Sequence, residues 1–133
     1  MQPTIAQGET ISIDWDAYVS TGPKRWDAVA SESPLSDSAI WVLRVVGLPG
    51  ETLDIRTDGI YINGIKEAPP SRLASLAYQL PTKHPGTDPP TSFPHKVSPG
   101  NYFVLGDNSS NSLDSRYWGD LDGSKIVGQV VGK

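Results

Sequence analysis

Between Glu51 and Lys66 the chain reads ETLDIRTDGIYINGIK, and few stretches leave a polypeptide less choice of fold. Leu53, Ile55, Ile60 and Ile62 alternate with polar residues. That is the period of a strand with one buried face, because successive side chains leave a strand on opposite sides. Asp58-Gly59 and Asn63-Gly64 are dipeptides favoured in primed hairpin turns, whose positive φ angles suit Asn, Asp and Gly. Two successive hairpins are expected, and with them antiparallel sheet. Ile40 to Val46, IWVLRVV, is β-branched and apolar on both alternating sets of positions, as in a strand covered on both sides. Tyr102 to Leu105, Lys125 to Val131 (apolar at Ile126, Val127, Val130 and Val131) and Thr10 to Asp14, after a turn at Gln7-Gly8-Glu9, supply further strands. The expected fold class is all-β, with antiparallel, strongly bent sheets and little helix.

Two features interrupt this apolar pattern. Arg44 sits inside the IWVLRVV run, where an unpaired charge is costly to bury, so an anionic partner is required, and Asp107 or Asp114 can supply it. Gly47-Leu48-Pro49-Gly50 follows as a sharp corner, with Pro preset for the first turn position and Gly for the second. Directly after Tyr102 to Leu105 comes GDNSSNSLDSRYWG, Gly106 to Gly119. Gly106-Asp107-Asn108 suits a tight turn. Ser112, Asp114 and Arg116 then follow at spacing two. If extended they share one strand face, with a hydroxyl beside a carboxylate and guanidinium pair. Such a trio reads as support for a site, although a polar loop closing a hairpin accounts for the spacing equally well.

Glu67 to Pro94 is different in kind. Pro69, Pro70, Pro81, Pro85, Pro89, Pro90 and Pro94 forbid regular sheet. Leu73, Leu76, Ala77 and Leu80 have helical spacing, but a few apolar side chains packing on the sheet serve as well. The chain therefore divides into a β core, 1–66 and 95–133, and a short Pro-rich insert or cap, 67–94. Its 133 residues suffice for one domain with a real core. A net charge of −4 without any Lys/Arg block excludes the basic footprint of a nucleic-acid partner. No apolar run is long enough to cross a bilayer, so any membrane anchor is expected outside this chain. Without cysteine there is neither disulfide nor thiolate chemistry. His84 lies in the Pro-rich stretch and His95 directly after it, with no cluster of further ligands at metal-site spacing, so no metal and no cofactor is expected.

Taken in order, MQPTI, PKRWDAVA, RVVGLPGE, the Asn-Gly hairpin and GDNSSNSLDSRYWG resemble the successive signature boxes of bacterial type I signal peptidases. The resemblance implies a Ser/Lys-dyad serine endopeptidase fold acting on signal peptides at the extracytoplasmic, periplasmic side of a bacterial membrane. In that family a nucleophilic Ser stands immediately before the Met matched by Met1, so its position falls just outside this chain. The catalytic Lys stands immediately before the Arg matched by Arg44, and here that position is Leu43. A lysine amine works there because desolvation lets it lose its proton near neutral pH and take one from the Ser hydroxyl; an alkyl chain cannot. The resemblance further gives Ser112 the role of facing the base, and Asp107, Asn108, Asp114 and Arg116, with Arg44, that of bracing the site. Met1, Pro3, Ile5, Trp41, Val42 and Leu43 would line a groove for an extended peptide or signal-sequence segment, paired by its backbone.

Three functions are consistent with these residues. In the first the chain is a signal-peptidase-like extracytoplasmic domain, catalytically inactive and retaining the groove. In the second it is a genuine membrane-bound signal peptidase whose Ser lies upstream of Met1 and whose base is unusual; Lys24, Lys66, Lys96, His84 and His95 are available, and none belongs to a matched box. In the third it is a self-cleaving repressor domain of the same general fold, which the GLPG and GDN boxes fit poorly.

Overall fold

The computed structural model of the chain describes residues 12–18, 21–33, 40–56, 58–70, 93–107 and 114–131. Among them the strands are β1 (Ile13–Asp14), β2 (Ala28–Glu32), β3 (Ile40–Gly47), β4 (Thr52–Arg56), β5 (Gly59–Ile62), β6 (Ile65–Glu67), β7 (His95–Lys96), β8 (Asn101–Leu105), β9 (Leu121–Asp122) and β10 (Ile126–Val130). A four-residue helix, α1 (Ser115–Trp118), lies between β8 and β9, and a 3-10 turn spans Gly123–Lys125. The fold is all-β and antiparallel. One sheet has six strands in the order β1-β10-β2-β3-β8-β9, the other four in the order β6-β5-β4-β7. No helix among the described residues is long and apolar enough to cross a membrane.

Both hairpins form, but only the second turns on its expected dipeptide: Gly59 already belongs to β5 and pairs with Arg56, and Asp58 does not take a positive φ, so Asp58-Gly59 is not the primed turn the sequence suggests. Leu53 pairs with Ile62 and Ile55 with Ile60, so the four apolar side chains share one face. At the second turn Asn63 and Gly64 both take positive φ, 52° and 84°, and Asn63 Oδ1 also accepts from the Thr52 N–H at 2.9 Å. The corner after β3 closes through Glu51 N–H to Leu48 O at 3.1 Å, with Gly50 at φ 81°, which a side-chain-bearing residue adopts only with strain. This corner carries the chain from the six-stranded sheet into the four-stranded one.

Strand alternation then separates two cores. Val46, Phe103 and Leu105 of the six-stranded sheet meet Leu53, Ile55, Ile60 and Ile62 of the other, with Trp26 and Val97. The opposite side of the six-stranded sheet gathers Val29, Leu43, Val45, Val104 and Leu121.

Two further expectations are corrected. β3 is not covered along its whole length: Ile40 is 48% exposed, Trp41 and Val42 are half-buried, and burial is complete only from Leu43. Its first residues pair with β2 alone, whereas from Arg44 it is flanked by β8 as well. Nor is Asp114 to Arg116 extended, because Asp114 caps α1 and Arg116 lies inside it. The proposed insert, with its helical spacing at Leu73 to Leu80, falls for the most part on residues 71–92, outside those described.

Candidate functional site

Arg44 leaves β3 on the face opposite Leu43. Its Nε and Nη2 donate to Asp107 Oδ1 and Oδ2 at 3.0 and 2.6 Å, and Nη1 donates to the Trp26 carbonyl at 3.0 Å. Of the two carboxylates that sequence offered as partners, Asp107 is the one. Trp26 takes a φ of 74°, uncommon for a bulky side chain, and in this conformation presents its carbonyl to Arg44. Arg44 and Asp107 are each 3% exposed. Two parallel bonds from a planar fork to a carboxylate form the arrangement that makes such burial tolerable.

One residue earlier, the Gly106 N–H donates to Asp114 Oδ2 at 3.0 Å. Asp114 also accepts from the Arg116 backbone N–H at 3.1 Å, and from Arg116 Nε and Nη2 at 2.8 and 2.9 Å. A residue just outside a helix can satisfy one of the helix's unpaired N–H groups in this way, so the Asp-x-Arg spacing makes a cap and an ion pair at once. Ser115 completes the join, its Oγ accepting from the Val104 N–H at 3.0 Å. Asp114, Ser115 and Arg116 are fully buried. The Gly106-Asp107 dipeptide is thus fixed from both sides, by Asp114 and by Arg44.

Leu43 is 4% exposed and packs among Val29, Val45, Val104 and Leu121, with Trp41, Trp118, Tyr18 and Tyr102 against that cluster. Burial, reinforced by a 2.8 Å hydrogen bond to Asp27 Oδ2, holds the Tyr18 phenol above its usual range. The Leu43 position is therefore apolar, and its own side chain offers no lone pair. Among the predicted site residues, the structure brings Arg44 to Asp107 and Asp114 to Arg116, and sets Trp41 beside Leu43 on one face of β3. Asn108, Ser112, Met1, Pro3 and Ile5 lie outside the described residues, as do the approach of Ser112 to Leu43 and the alternative base His84.

Some contacts were not legible from spacing. His95 Nε2 lies 2.6 Å from Asp120 Oδ1, while Asp120 Oδ2 accepts from the Ser98 N–H at 2.9 Å. These partners are 25 residues apart in the chain, which no local motif announces. Arg25 meets Glu51 through Nη1 and Nη2 at 2.6 and 2.9 Å and joins the PKRWD turn to the GLPGE corner. Among the described residues no group of three or more His, Asp or Glu could hold a metal ion.

The sequence profile of the family described as "Signal peptidase, peptidase S26" matches residues 1–132. Signal peptidase IB of Staphylococcus aureus is 32% identical over 136 residues, which cover 98% of this chain and 70% of that protein. Signal peptidase I V of Bacillus subtilis is 32% identical over 132 residues, 98% of this chain and 77% of that protein. A crystal structure of a signal peptidase I from Enterococcus faecalis aligns with a TM-score of 0.63 at 33% identity, over 84% of this chain and 98% of that one.

Proposed function

This chain belongs to the signal peptidase family, peptidase S26, and from that premise we propose that it is an extracytoplasmic domain that holds extended peptides without cutting them. The observation that carries the proposal is Leu43, which the resemblance of RVVGLPGE to the family's lysine box puts at the catalytic-lysine position and which is buried in aliphatic surroundings. A leucine there removes the general base, and an unactivated hydroxyl is a poor nucleophile at neutral pH. Arg44, Asp107, Asn108, Ser112, Asp114 and Arg116 are assigned to support of the site, and the burial of both ion pairs is consistent with that role. Met1, Pro3, Ile5, Trp41, Val42 and Leu43 are assigned to the groove, which takes a signal-sequence segment with small residues at alternate positions. The division into a core, 1–66 and 95–133, and an insert, 67–94, goes with this assignment.

Titrating a cleavage-site peptide while following tryptophan fluorescence, with Trp41→Ala as control, tests the binding half of the proposal. A saturable change lost in the control is expected. No change at millimolar peptide would contradict it.

A further inference from the structure

Trp118 ends α1 two residues beyond Arg116 and belongs to none of the positions assigned above. Its ring meets Trp41 edge to face, with centroids 6.4 Å apart and planes at 68°. Both rings are half-buried and both pack on the cluster that contains Leu43. Trp41 and Leu43, two apart on β3, project from the same face. Trp118 is mounted on a hydrogen-bonded turn. Its backbone N–H donates to the Asp114 carbonyl at 3.2 Å, Asp114 is held by Gly106 and Arg116, and Ser115 is held by Val104.

We infer that Trp118 is a positioning residue for the peptide site: its contact holds the Trp41 ring in one orientation and so sets the size of side chain accepted beside Leu43. The inference rests on the peptide-binding function proposed above. A half-buried tryptophan on a strand has two common χ1 wells, and edge-to-face packing favours one relative orientation of two rings over others. With Trp118 in place the Trp41 ring stands as a fixed wall. Without it the Trp41 ring is free to take its other well, and the fit of a side chain beside Leu43 loosens. The short helix thereby transmits the order of the buried Asp114–Arg116 pair to a surface that touches ligand.

The test uses the whole chain and two peptides: one with alanine at both alternate positions, the other with leucine replacing the second alanine. In the unchanged chain the alanine peptide is expected to bind at least about tenfold tighter, within the range a few methylenes contribute to pocket discrimination. In Trp118→Ala the two affinities should converge. Trp118→Phe, which retains an aromatic edge, should keep most of the ratio, and Trp118→Leu, which retains bulk alone, should not. If Trp118→Ala does not fold, the Phe and Leu variants decide the matter between them. Binding by all variants with an unchanged ratio overturns the role of Trp118 and leaves the peptide site standing. Absence of binding by the unchanged chain overturns the peptide site itself, and the role of Trp118 with it.

Discussion

Arg44 and Asp107, 63 residues apart in the chain, meet through two parallel hydrogen bonds of 3.0 and 2.6 Å. The pair fastens the first residues after β8 to the strand that carries Leu43, with both side chains almost wholly out of water. Removing one partner from such a pair costs far more than the pair itself contributes, because a charge is left buried. Asp107→Ala is therefore expected to destabilise the chain by about 3–5 kcal/mol, read as a drop in the urea midpoint. Arg44→Met combined with Asp107→Leu should be more stable than Asp107→Ala alone. A double variant at least as unstable would show that the charges are not the source of the effect.

Among the described residues, Asp114 accepts hydrogen bonds from the Gly106 N–H, the Arg116 N–H and the Arg116 guanidinium. Asp114→Asn keeps an oxygen for the cap but loses the charge that Arg116 requires, and Asp114→Ala loses both. A cap alone is worth about 1 kcal/mol, so the alanine variant should be the less stable of the two. Amide exchange at Gly106 and Arg116 should quicken in both. Exchange faster at β10 than at these two amides would count against a local role.

Gly47 lies where a Cβ would come within 2.8 Å of Phe103 Cβ and 3.2 Å of Val97 Cγ2. The corner thus needs glycine for space, since β3 and β8 approach each other closely there. Gly47→Ala is expected to cost about 1–3 kcal/mol through overpacking, with Phe103 Cβ as the atom that must move. A urea midpoint unchanged from the parent would refute this.

Glu51 provides a pH test. Partial burial pushes its carboxyl upward, but hydrogen bonds from Arg25 and from the Leu48 N–H outweigh this and hold it below its ordinary 4.5. Because the folded value lies below the unfolded one, the stability it lends is complete above pH 4.5 and is lost as the pH falls through the folded value. Acidification below pH 4.5 should therefore weaken the parent chain more steeply than Glu51→Gln. Parallel stability curves for the two would contradict this assignment.

Much of the fold was written in local pattern. Alternation at Leu53, Ile55, Ile60 and Ile62 with Asn63-Gly64 fixes a register by itself, since each residue's face follows from its neighbours. The partner of Arg44 was legible as a choice of two, because charge demands compensation but sequence does not say from where. The spacing of Ser112, Asp114 and Arg116 gives a shared face only if the segment is extended, and an alternating Ser-x-Asp-x-Arg pattern also fits the capped turn of helix that Asp114 to Arg116 adopts. The cap at Asp114 and the stop at Gly119 were the signals that distinguish them. The His95–Asp120 and Trp41–Trp118 contacts were beyond reach of the sequence, because each depends on how β7 and α1 pack after the strands have paired.

Whether Leu43 abolishes hydrolysis is tested most directly by placing Ser immediately before Met1 and assaying a signal-peptide substrate in detergent with Leu43 intact. No turnover above the uncatalysed rate is expected, because the hydroxyl has no base to activate it. Leu43→Lys in the same background would ask whether an ammonium can be positioned and deprotonated in a pocket packed around leucine. Turnover with Leu43 intact, abolished by changing the added Ser to Ala, would show that another group serves as base and would contradict the inactive assignment.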